Sequence, residues 1–149
     1  MNKLLCLCIL LAGYLSGHAQ SLKAGDVPSA VLSKFKYQYP SATNPKWESE
    51  DGMYEATFMN NKVETSVLYS IKGELAMTET VITDYTSLPA GVLDYITKNV
   101  LNAKISEASK LVDAQDIVSY QVEINNTDYL FTANGQFLSK RVEEDDDND

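Results

Sequence analysis

Histidine and cysteine are almost missing from this chain of 149 residues: one His and two Cys, at His18, Cys6 and Cys8. All three lie in a stretch that reads as a signal peptide, residues 1–19. Lys3 makes a short positive start, residues 4–15 are nearly all apolar, and Gly17-His18-Ala19 places small residues at a signal-peptidase site. The apolar run is shorter than the about 20 residues that span a membrane. Cleavage after Ala19 leaves 130 residues (149 minus 19) with neither thiol nor imidazole. An oxidising compartment would then find nothing to oxidise, so stability rests on the core alone. A domain of this size buries roughly two-thirds of its unfolded surface, which suffices.

Basic residues are scarce as well. There are 12 Lys and Arg against 21 Asp and Glu, a net charge of −9 that becomes −10 once Lys3 is removed. With no basic patch, nucleic acid and anionic lipid lack an electrostatic footprint. Six of the acids fall in residues 143–149, EEDDDND, which read as a disordered acidic tail; the body then carries about −4 (−10 plus 6).

What is present is a pattern. In residues 26–47, DVPSAVLSKFKYQYPSATNPKW, the residues Val27, Val31, Leu32, Phe35 and Tyr39 form one helical stripe. Asp26 and Pro28 suit a helix start, and Pro40 forces a stop. From Lys46 the period changes to two. Trp47 begins a short strand, and Asp51-Gly52, Asn60-Asn61 and Lys72-Gly73 mark tight turns between further strands. Tyr54, Ala56 and Phe58 alternate with Glu55, Thr57 and Met59, and Val67 and Tyr69 with Ser66, Leu68 and Ser70. Short turns of this kind imply an antiparallel meander with one apolar and one largely polar face.

The pattern then restarts 61 positions on: Leu88-Pro89 matches Val27-Pro28, Val92-Leu93 matches Val31-Leu32, and Ile96 matches Phe35. Tyr120 to Ile124 echoes Tyr54 to Phe58, and Asn134-Gly135 echoes Lys72-Gly73. The restart predicts an α+β fold of two tandem repeats, residues 26–82 and 88–142, within one domain of residues 20–142. In the second repeat Gly91 costs helix propensity, about 1 kcal/mol against Ala. Residues 104–110 make a poor strand, expected at an edge or irregular, and residues 112–116 read as a loop.

Val27-Pro28, Phe35, Tyr39-Pro40, Ala42 and Trp47, followed by a Gly-turn meander, resemble the PepSY-like, beta-lactamase-inhibitor-like family of secreted bacterial proteins. The resemblance covers nearly all of residues 20–142. It implies a tandem helix-plus-four-strand arrangement, with one curved antiparallel sheet and both helices on one face. It also implies export to the periplasm or beyond, no catalytic residues, and, among partners, a protease.

Constellations for chemistry are few. Ser33 and Lys36 match S-x-x-K, but the companion elements of a serine acyltransferase are missing and both residues fall on the solvent side of the helix. Glu48, Glu50, Asp51, Glu55 and Glu64 lie on a strand face and turn, where nothing would raise a pKa for acid catalysis. Asp145, Asp147 and Asp149 resemble the start of a calcium loop without its Gly or late Glu. Asn125-Asn126-Thr127 fits a glycosylation sequon, though a turn is the plainer reading. No cofactor or metal is expected.

The candidate binding face is the polar side of the sheet: Glu55, Thr57, Met59, Glu64, Ser66, Leu68, Gln121, Glu123, Asp128 and Leu130, with Thr78 and Leu138 nearby. Its mixture of carboxylates, hydroxyls and a few apolar side chains fits a docking platform and a plainly solvated sheet alike. The sequence therefore predicts an exported, non-catalytic module that binds a protein or peptide. A small-ligand or calcium-binding envelope protein is the alternative.

Overall fold

The computed structural model describes residues 20–142, so the expected signal peptide and acidic tail lie outside the described residues. The strands β1 (Gln20–Leu22), β2 (Lys46–Glu50), β3 (Met53–Asn60), β4 (Val63–Ser70), β5 (Leu75–Val81), β6 (Ile105–Asp113), β7 (Val118–Ile124), β8 (Thr127–Thr132) and β9 (Phe137–Val142) are hydrogen-bonded in chain order. Two helices interrupt them, α1 (Ser29–Gln38) before β2 and α2 (Ala90–Asn99) before β6. The helix-then-four-strand order thus occurs twice, as the 61-residue restart predicts.

Contacts divide the described residues into two compact units, 20–62 with 66–76 and 63–65 with 77–142. In the first unit α1 lays Val31 and Phe35 on Trp47, Ala56, Phe58, Val67 and Tyr69. Phe35 meets Trp47 and Phe58 edge-on, with ring centroids 5.2 and 5.1 Å apart. Such aromatic pairs add stabilisation beyond their buried area. Tyr69 is fully buried, and its hydroxyl donates to Gln38 Oε1 at 2.8 Å, tying the sheet to the last turn of α1. Burial, and then the neighbouring Tyr39, pushes the Tyr69 pKa above the ordinary phenol range.

In the second unit Val92 and Ile96 of α2 pack on Ala108, Val122, Ile124, Tyr129 and Phe131. Ala108 stands 61 positions after Trp47 (108 minus 47), so alanine replaces the indole at the matching place. The aromatic weight moves to Tyr95, whose ring stacks on Phe137 at 4.7 Å and meets Phe131 edge-on at 5.4 Å.

Both units share a close approach of turn and helix. Gly73 (φ +77°) sits against the α1 backbone, where an added Cβ would lie 2.7 Å from the Ala30 carbonyl oxygen. Gly135 (φ +79°) sits against α2 in the same way, 2.6 Å from the Val92 nitrogen. Positive φ and lack of room both demand glycine there. Gly91, 61 positions after Ala30 (91 minus 30), exists for the same reason: its Cβ would meet the Asn134 carbonyl oxygen at 2.8 Å.

Some expectations need correcting. Residues 20–25, which read from sequence as a short polar leader, are ordered by the sheet: β1 pairs with β2, Leu22 opposite Trp47, and a 3-10 turn follows at Ala24–Asp26. The Asp26 side chain makes no capping bond to α1, whose cap position is Pro28. The second hairpin turns at Asn61-Lys62 (φ 50° and 69°), one residue later than Asn60-Asn61. Residues 105–110 of the poor strand belong to β6, a nine-residue strand registered with β7 from Ile105 and with β5 from Ser109 onward; the expected irregularity is the register shift between Ile105 and Glu107. Residues Val112 and Asp113 belong to β6 too, and Asp113 Oδ1 closes the loop by accepting from the Gln115 and Ile117 amides at 2.8 and 2.9 Å. Asn125 and Asn126 (φ 52° and 59°) form the tight turn between β7 and β8, as the turn reading of that sequon requires.

Candidate functional site

Strand alternation settles which side chains share the helix-free face of each unit. In the first, Glu55, Thr57 and Met59 alternate with Tyr54, Ala56 and Phe58, and Ser66 and Leu68 alternate with Val67 and Tyr69, which pack toward α1. Thr57 Oγ1 and Ser66 Oγ are 2.8 Å apart, a cross-strand hydroxyl pair. Met59 is 58% exposed and Leu68 half-buried, whereas Glu55 is buried rather than presented to solvent.

In the second unit the helix-free face is laid out in registered rows. Ser109 of β6 lies opposite Gln121 of β7, which lies opposite Leu130 of β8. One row along, Glu107, Glu123 and Asp128 stand side by side, with Arg141 of β9 next to Asp128. Three carboxylates on adjacent strands repel one another. Glu107 is exposed overall, yet desolvation of its carboxyl raises its pKa, and the charges of Glu123, Glu64 and Asp128 raise it further. Asp128, buried, is also pushed up, chiefly by that burial; a hydrogen bond from the Gln121 amide and the Arg141 charge oppose the shift.

All ten sequence-predicted residues therefore fall on helix-free strand faces, but that face is less open than expected. Asp128, Ser109 and Leu111 are buried on it. Thr78 does not belong to it: its register partner is Val112, on the side of β6 that carries Ala108 toward α2. Leu138 is 53% exposed beside the register shift between β8 and β9. Sequence reasoning missed Glu107 and Ser109, because residues 104–110 did not read as a strand and so had no faces to assign.

Ser33 and Lys36 are both exposed on α1, away from any carboxylate cluster described above. Among the described residues, no group of three His, Cys, Asp or Glu side chains is placed to hold a metal ion. Asp145, Asp147 and Asp149 lie outside the described residues. No helix among the described residues is long and apolar enough to cross a membrane.

A family model described as beta-lactamase-inhibitor-like, PepSY-like matches residues 14–77 and again residues 52–139. Among solved structures, a DUF2874 family protein from Bacteroides ovatus superposes with a TM-score of 0.70 at 24% identity, covering 78% of this chain and 89% of that one. A protein from Bacteroides eggerthii described as periplasmic gives a TM-score of 0.70 at 20% identity, over 77% of this chain and 88% of that one. A BLIP-like protein from Bacteroides fragilis gives 0.66 at 25% identity, over 81% and 92% of the two chains. No curated protein matches the chain.

Proposed function

Because the chain belongs to the beta-lactamase-inhibitor-like, PepSY-like family, we propose that it is an exported, non-catalytic module that binds a protein or peptide through the helix-free face of its sheet. The observation behind this reading is the chemistry of that face. In the first unit it carries the hydroxyls of Thr57 and Ser66 with partly exposed Met59 and Leu68, and in the second the carboxylates of Glu64 and Glu123 with Leu130, all on strands rather than loops. A rigid scaffold carrying mixed polar and apolar groups binds without paying much ordering entropy. Ser33 and Lys36, the one nucleophile-like pair in the sequence, lie exposed on α1 rather than on this face.

The family description and the BLIP-like structural relative make a hydrolase the first class of partner to test, either a serine beta-lactamase or an exported peptidase. Immobilised mature protein is compared with a Leu68→Glu, Leu130→Glu double variant for capture from periplasmic extract and for inhibition of a purified beta-lactamase. The variant should lose at least about tenfold in affinity, since a charge on each half-buried patch removes apolar contact and adds a desolvation cost. Undiminished capture by the variant would remove the face as the site.

A further inference from the structure

The acidic row of the second unit has neighbours that a merely solvated surface would not need. Ser109 Oγ, on a residue only 3% exposed, makes no hydrogen bond within the described residues. Gln121, directly opposite it, uses its amide nitrogen on Asp128, and its buried Oε1 also makes none. Two open acceptors thus lie one row from three carboxylates, on the same strand faces. Buried acceptors without donors are costly and uncommon in folded proteins. The carboxylates and the Gln121 carbonyl oxygen ask for N–H donors and positive charge, and the Ser109 hydroxyl can accept as well as donate.

We propose that this face binds an arginine side chain of a basic segment on the partner, seated on the Glu107, Glu123 and Asp128 row beside Ser109 and Gln121. The inference rests on the docking reading above and names the chemistry of its partner. Strands lie about 4.8 Å apart, so neighbouring carboxylates are spaced for the planar, five-donor fork of a guanidinium to touch two of them at once. A metal ion needs its oxygens converged at about 2.4 Å, a convergence missing among the described residues. A lysine ammonium is a point charge and satisfies fewer of these acceptors together. Arg141 stands beside Asp128 at the β9 end of the row, so the added cation belongs at the other end, near Glu123, Glu107 and Glu64. Glu107, exposed, is the member of the row that solvent and a partner's side chain reach first. The mature chain's net charge of −10 (−9 less Lys3), about −4 of it outside the tail, draws a basic partner in and disfavours an acidic one or a second copy.

The test is calorimetric titration of full-length mature protein with an acetylated, amidated triarginine peptide, with trilysine in parallel. A Glu107→Gln, Glu123→Gln variant keeps side-chain shape and relieves repulsion, so it folds. It should weaken triarginine binding by about tenfold or more, and triarginine should bind more tightly than trilysine. Neutralising all six tail acids (Glu143→Gln, Glu144→Gln, Asp145→Asn, Asp146→Asn, Asp147→Asn, Asp149→Asn) should change little, and the Ser109 and Gln121 amide NMR signals should shift on titration. Equal binding by the row variant and the unmodified protein, or loss of binding in the tail variant alone, would overturn the proposal. The wider docking reading fails separately, only if the Leu68 and Leu130 substitutions leave partner capture unaltered.

Discussion

Gly91 sets two residue-scale effects against each other. In an isolated helix, alanine at this position is favoured by about 1 kcal/mol. Here the Asn134 carbonyl oxygen occupies the space at 2.8 Å, and that atom is backbone, which cannot step aside cheaply. Gly91→Ala should therefore destabilise the fold, by about 1–3 kcal/mol on the scale of overpacking, read as a fall in the urea midpoint. If propensity won instead, the midpoint would rise. The companion position of α1 is Ala30, whose backbone carbonyl meets the turn at Gly73 in the first unit.

At the level of elements, legibility followed side-chain volume. The helix α1 and strands β3 and β4 were readable because Phe35, Trp47, Phe58 and Tyr69 are large, apolar and periodic. The strand β6 was not. It puts Ala108 toward α2 and Ser109 with Leu111 on the other face, so its large residues do not alternate, and pairing with β5 and β7 makes it a strand. Neighbours override the weak β-propensity of such residues. The candidate face was legible wherever a strand was, and Glu107 and Ser109 were lost with the strand that holds them. Ser109→Ala removes a buried hydroxyl that has no partner, so stability should rise by about 1 kcal/mol, measured by thermal or urea unfolding. The same change should weaken arginine binding, a trade of the kind that binding sites impose.

The whole molecule feels its carboxylates through pH. Glu107 and Asp128 have folded pKa values above their ordinary ones, so the folded state holds more protons than the unfolded state between the two values. Stability therefore falls as pH rises through that window and is recovered as pH drops from neutral toward the ordinary carboxylate range. Asp84 works oppositely: hydrogen bonds from the Thr86 hydroxyl and amide lower its pKa, and its contribution is lost only as pH falls through that lowered value. The protein should thus be most stable in mildly acidic solution. Urea midpoints across a pH series would show this, and an Asp128→Asn variant should flatten the profile. A midpoint that climbs steadily toward alkaline pH would contradict the account.

The last strand, β9, closes the hydrogen-bonded order with every side chain exposed, and two of its six residues are Lys140 and Arg141. A bare terminal ribbon invites another polypeptide to zip alongside and propagate into fibres. Cationic side chains on that ribbon act as bumpers between molecules, since two like borders repel before their backbones can meet. Solubility in a crowded envelope would then depend on a pair of charges, one of them directly across from Tyr129 of the second apolar cluster.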